Sequence, residues 1–217
     1  MKKGTRAAAL FFFGVILILL NACIGIKTEV WVNEDGSGRL GVEYRMPVML
    51  IDSIKENEQN SKTIIVDGVE IPEFLSEQKF RDEISGSKGL TLSAYRVRQD
   101  GEDIYVSCEI GFTQESSLED LGFIPQISIK TVGETGEFSQ QVCSSPGFDP
   151  QSEDAVRVYK NYKNTFILHT PREITVHNMG ILSEDKRTLT FEYKLLTPYT
   201  CGSSAEKAQG PDMVANW

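Results

Sequence analysis

Residues 26–46, IKTEVWVNEDGSGRLGVEYRM, decide the fold. Ile26, Thr28, Val30 and Val32 alternate with Lys27, Glu29, Trp31 and Asn33. After Asp35-Gly36-Ser37-Gly38 the same period returns, with Leu40, Val42, Tyr44 and Met46 set against Gly41, Glu43 and Arg45. Successive strand side chains point to opposite faces, so a period of two on both flanks of a Gly-rich turn predicts a hairpin with one apolar face.

The pattern repeats outward from this hairpin. A second hairpin is expected over about 90–112, turning at Gln99-Asp100-Gly101-Glu102, with Ile104, Val106, Cys108, Ile110 and Phe112 on one face. A third pairs 126–132 with 137–143 across Gly133-Glu134-Thr135-Gly136. A fourth joins 174–178 to 187–196, with Leu189, Phe191, Tyr193 and Leu195 inward and Thr190, Glu192 and Lys194 outward. Helices are fewer. Pro47 opens one that runs to about residue 58, and Pro72 occupies the first helical position of 73–84. Ser116-Ser117-Leu118-Glu119 has a capping-box pattern before a short helix near Leu121. The stretch 152–162 fits either a helix capped by Ser152 or a strand through Val156 and Val158. One-sided strands need a cover. The expected class is therefore α+β: a curved, mainly antiparallel β-sheet built from hairpins, with two or three packing helices.

The N-terminus carries an address. Lys2, Lys3 and Arg6 precede an uncharged apolar run from Ala7 to Leu20, short for a spanning helix and suited to a signal peptide. Leu20-Asn21-Ala22-Cys23 resembles the bacterial lipobox. That resemblance implies cleavage after residue 22, a diacylglycerol thioether on Cys23 and a fatty acyl group such as palmitate on the new amine. No other cofactor is expected. Ile24, where an Asp would mark inner-membrane retention in enteric bacteria, favours the outer membrane in a two-membrane cell. The expected organisation is a signal peptide over 1–22, one lipoprotein domain over 23–201, and a disordered tail over 202–217. In the tail, Met213, Val214 and Trp217 have the alternative of docking on a groove.

The order of elements resembles a family. The lipobox, the V-W-V-N-E-D-G-S-G-R-L hairpin, the helical insert, the strand ending Glu109-Ile110-Gly111-Phe112 and the closing I-T-V-H-N-M-G…L-T-F-E-Y pair are similar to the LppM-like bacterial lipoprotein domain family over about 24–200. The resemblance implies an α+β envelope domain without a shared enzymatic activity, and a lipid- or glycolipid-binding role in some relatives. It brings no ligand-contacting motif to particular residues.

Of 217 residues, 22 are Lys or Arg and 31 are Asp or Glu, a net charge of −9 that becomes −12 once residues 1–22 are removed. No basic field is available for nucleic acid. Apart from Cys23, the cysteines are Cys108, Cys143 and Cys201, an odd number for a compartment that permits disulfides. Cys108 falls on an apolar strand face, whereas Cys143 and Cys201 fall at element ends. A Cys143–Cys201 bridge and three free thiols are the competing states. His169 and His177 lack the spacing of a zinc site, and no CxxC, G-x-S-x-G, Walker or dinucleotide fingerprint occurs. A non-enzymatic envelope lipoprotein is expected, tethered to the membrane through its lipid. Its leading role is to hold a lipid or other hydrophobic ligand against an apolar groove. The alternative is a structural protein that docks envelope partners through an acidic surface. A hydrolase with its groups dispersed in sequence is a third reading, and the sequence fixes no oligomeric state.

Overall fold

In the computed structural model, residues 25–56, 62–114, 118–119, 121–124, 126–142, 152–196 and 212–217 are described. Strands β1 (Gly25–Val32) and β2 (Gly38–Pro47) form the expected hairpin, with Gly25 opposite Arg45 and Val32 opposite Gly38. Its turn closes on the Asp35 carboxylate, which accepts hydrogen bonds from the Ser37 amide (2.9 Å) and hydroxyl (2.6 Å). These bonds hold the Asp35 carboxyl below its ordinary range. Gly36 supplies the left-handed residue, at φ +78°.

Helix α1 (Val48–Glu56) follows, then the small hairpin β3 (Thr63–Val66) and β4 (Val69–Pro72). The helix expected from Pro72 is split: Glu73–Leu75 makes a single 3-10 turn, and α2 (Glu77–Ser85) starts afresh. Ser76 causes the break, because its backbone is extended and its hydroxyl caps α2 by accepting from the Lys79 amide. Phe80 and Ile84 form the buried stripe of α2. Strands β5 (Leu90–Asp100) and β6 (Asp103–Phe112) make the second hairpin, and β7 (Ile127–Val132) and β8 (Thr135–Gln141) the third. Ser116, Ser117 and Asp120 lie outside the described residues; Leu121–Ile124 forms a turn and bend rather than a helix, and Leu118, Leu121 and Ile124 are buried in the core. Residues 152–162 resolve as a helix, α3 (Glu153–Tyr159).

The fourth expected hairpin is not formed. Instead β9 (Lys163–His169) pairs antiparallel with β12 (Thr188–Lys194) and parallel with β1. Residues 174–178 contribute only β10 (Val176–His177), and β11 (Ile181–Leu182) flanks the first part of β12. The seven-stranded order is β11-β12-β9-β1-β2-β6-β5. Because β11 is so short, no described strand lies beyond Phe191, which is half-buried, while Leu189 and Tyr193 are buried as expected.

In the tail, residues 212–217 take the docked alternative in place of the disordered one. Residues 212–216 form β13 (Asp212–Asn216), inserted between β8 and β10 in a four-stranded sheet ordered β10-β13-β8-β7. Met213, Ala215 and Trp217 are buried there. The indole of Trp217 fills the space a Cβ on Gly136 would take. Apolar burial and two hydrogen-bonded edges order this segment. Val30, Leu40 and Val106 from the large sheet, Phe80 from α2, and Ile127, Phe138 and Met213 from the small sheet share one core. The apolar face of the large sheet is thus covered by helices and a second sheet together.

Candidate functional site

The other face of the large sheet is built from the polar alternates of the same strands. One row across it runs Thr188, His169, Trp31, Arg39, Gly111 and Thr91. The next contains Thr190, Ile167, Glu29, Gly41 and Glu109, and the one after it Glu192, Thr165, Lys27, Glu43, Ser107 and Arg96. Trp31 is half-buried between neighbours of its row. The Arg39 guanidinium lies 4.0 Å from its ring centre, and the His169 imidazole stacks at 5.1 Å with planes 6° apart. Gly41 lies under the indole, where a Cβ would make ordinary contact at 3.4 Å.

His169 is held at both nitrogens, by Glu29 Oε1 at Nε2 (2.9 Å) and by Thr188 Oγ1 at Nδ1 (3.1 Å). Lys27 Nζ binds the second Glu29 oxygen at 2.7 Å. Burial alone would raise the Glu29 pKa, but the hydrogen bonds from Lys27 and His169 outweigh it and hold the carboxyl below its usual value. Beside this cluster, the short side chains of Gly41, Ala94 and Ser107 leave an open depression of about 260 Å³, rimmed by Lys27, Glu29, Glu43, Arg96 and Glu109. A β-bulge between Leu92 and Ala94 shifts the register at its border. A surface with charges of both signs can hold a polar or zwitterionic group by hydrogen bonds and ion pairs.

A second polar knot lies at the end of the sheet where β1 begins. Arg45 Nε and Nη2 donate to one Asp103 oxygen (3.0 and 2.6 Å), and the Tyr162 hydroxyl donates to the other. The guanidinium lies over the Tyr162 ring at 4.4 Å. Burial, followed by the bond to Asp103, raises the Tyr162 pKa and keeps the phenol neutral. Deeper in, Asn164 accepts from the Ile26 amide (2.9 Å) and donates to the Tyr193 hydroxyl (2.7 Å), fastening β1 to β9 and β12.

Of the residues singled out in the sequence, Cys23, Cys143 and Cys201 lie outside the described residues. Cys108 is a free buried thiol on the inner face of β6, its pKa pushed up to about 12 by burial. His177 is exposed on β10, away from His169. The grouping of Glu29, Trp31 and His169 could not be read from the sequence, because it depends on pairing β1 with β9. Among the described residues, no three or more His, Cys, Asp or Glu are placed to hold a metal ion, and no helix is long and apolar enough to cross a membrane.

Among the described residues, fold and site define an α+β domain of two larger sheets, a two-stranded hairpin and three short helices, with one polar face of the large sheet uncovered. No family model and no curated protein match the chain. Among solved structures it is similar to the folded domain of LppM from Mycobacterium tuberculosis, at 9% identity over 90% of this chain and 89% of that one, with a TM-score of 0.44. It is also similar to the Fcho1 mu homology domain of Danio rerio, solved with a bound Eps15 peptide, at 7% identity over 92% and 81%, with a TM-score of 0.22. The LppM match falls in the family that the order of sequence elements resembles. It concerns the fold, and no site residue is carried over from it.

Proposed function

We propose that this protein is a non-enzymatic lipoprotein of the bacterial cell envelope, anchored by acyl chains on Cys23, whose domain docks a polar envelope partner on the uncovered face of the seven-stranded sheet. The lipobox at Leu20–Cys23 supports the anchor, and two or more acyl chains hold a protein stably on a bilayer. One observation carries the docking role. The apolar alternates Val30, Leu40, Val106 and Ile110 are fully buried and fill the core, while the polar alternates of the same strands stay open around the depression. A hydrophobic ligand in an apolar groove led from sequence; enclosed by the sheet and helices, it would have to displace those core side chains.

The test is native mass spectrometry of the protein purified from its own membrane, coupled to photo-crosslinking from Ser107. A protein adduct from Ser107, with no lipid retained beyond the covalent one, is the expected result. A stoichiometric non-covalent lipid without such an adduct would restore the hydrophobic-ligand reading. Labelling with a fatty-acid probe checks the anchor, since Cys23→Ala should lose the label entirely.

A further inference from the structure

Strand β1 starts at Gly25, so Ile24 alone separates Cys23 from the sheet. Two residues of extended chain reach about 7 Å at most. On the reading that Cys23 is acylated, on which this inference rests, the Gly25 end of the sheet is held against the bilayer with no linker between. We propose that this end is a membrane-contacting surface for anionic phospholipid headgroups, which gives the domain a fixed orientation on its bilayer.

The register assembles that surface. Gly25 lies opposite Arg45, which continues to Tyr105 and Arg98, while Lys163 and Lys194 pair on the other side. A Cβ on Gly25 would come within 3.1 Å of the Lys163 carbonyl, so the first strand residue and Lys163 are in direct contact. Lys160, just past α3, is exposed near the same end. Its carboxylates include two that are already engaged: Asp103 by Arg45 and Tyr162, and Glu192 by Lys163 (2.6 Å). Arg98 meets Asp100 (3.9 Å) and Glu43 (3.6 Å), and Glu102 lies in the β5–β6 turn. Lys160 and Lys194 form no ion pair among the described residues and are left for phosphate.

The opposite end differs in sign. The turn after β1 carries Glu34 and Asp35, and the turn before β12 carries Glu184 and Asp185 beside Lys186 and Arg187, so acids remain in surplus there. At about 3.3 Å per residue, the length of β1 puts these acids roughly 25 Å from the Gly25 end. An anionic bilayer attracts the first end and repels the second, and the short tether imposes the same choice.

The experiment uses the full lipidated protein in vesicles of phosphatidylethanolamine and phosphatidylglycerol. A benzophenone amino acid replaces Lys160 or Lys194 at one end, and Glu34 or Glu184 at the other, all of them surface positions. After irradiation, lipid adducts from the first pair should exceed those from the second at least tenfold. Equal yields, or a larger yield from Glu34 or Glu184, overturn the orientation even where the Cys23 peptide carries its acyl mass. A Cys23 peptide without acyl mass overturns the anchor as well, and the two failures are thereby told apart.

Discussion

The inner and outer faces of β1, β2 and β6 are made by alternate residues of the same three strands, yet they solve opposite problems. Inside, Val30, Leu40, Val106 and Ile110 meet a second sheet and helix α2 and are closed to water. Outside, Lys27 pairs with Glu29 along β1, while Arg39 reaches Glu109 and Arg98 reaches Glu43 from other strands, around an open depression. Cohesion comes from the first face, because apolar burial scales with area, while exposed ion pairs contribute little. The second face is therefore free to vary in chemistry without endangering the fold.

The sharpest break of this contrast is at Cys108. A thiol on the inner face reacts only when the domain opens, so its protection should approach the full stability, on the order of 5–15 kcal/mol. Thiol counting on the oxidised protein should find one cysteine, released only by denaturant, and peptide mapping should place it at Cys108. That result also requires the Cys143–Cys201 bridge; three titrating thiols would remove the bridge, and rapid labelling of native Cys108 would contradict its burial. Next in size, Phe166→Ala should cost about 3–5 kcal/mol in denaturant unfolding, since Phe166 is buried in a three-ring cluster with Phe191 and Tyr193. Asn164→Ala should cost about 1–3 kcal/mol, because it removes the buried acceptor of the Ile26 amide and the bond to the Tyr193 hydroxyl.

On the outer face the effects shrink and become dependent on pH. The folded pKa of Glu29 lies below its ordinary value near 4.5, so its contribution is present above that value and fades as pH falls through the folded pKa. Glu29→Gln should flatten the acid side of the stability–pH curve and leave the curve above about pH 6 nearly parallel to wild type. An unchanged acid limb would mean that Lys27 and His169 do not hold the carboxylate in solution. Smallest of all, Glu43→Ala should stay within about 0.5 kcal/mol of wild type. A loss there comparable to Phe166→Ala would erase the distinction between the faces.

The hairpins were legible because alternation and turn residues agree locally: Val30 with Trp31 and Gly36 near Asp35 need no distant partner to be interpreted. Strand β9 was not. Asn164, Thr165 and Phe166 are buried in succession, and two of the three are polar residues satisfied by hydrogen bonds, so no period-two signal survives. The 174–178 stretch looked like the partner of 187–196 because both alternate, Ile174 and Val176 in one and Leu189, Phe191 and Tyr193 in the other, but the choice among possible partners is made by tertiary packing. In β13, Met213, Ala215 and Trp217 do alternate. The run is short, and a groove that exists only after β8 and β10 are placed cannot be seen in it. The Trp31, His169 and Glu29 cluster was hidden for the same reason: its members meet only through the parallel pairing.

That pairing also sets the order in which the domain can be completed. Ile26 and Asn164 are bonded across 138 residues of chain, so β1 has its hairpin partner almost at once but waits for most of the chain before its other edge is closed. Non-local pairing slows folding, and an unpaired edge is a template for other strands. During synthesis, then, the β1–β2 hairpin passes through an interval in which it is formed, apolar on one side and open along β1. Guarding that edge against other nascent chains is a task for the folding environment, and it ends only when β9 arrives.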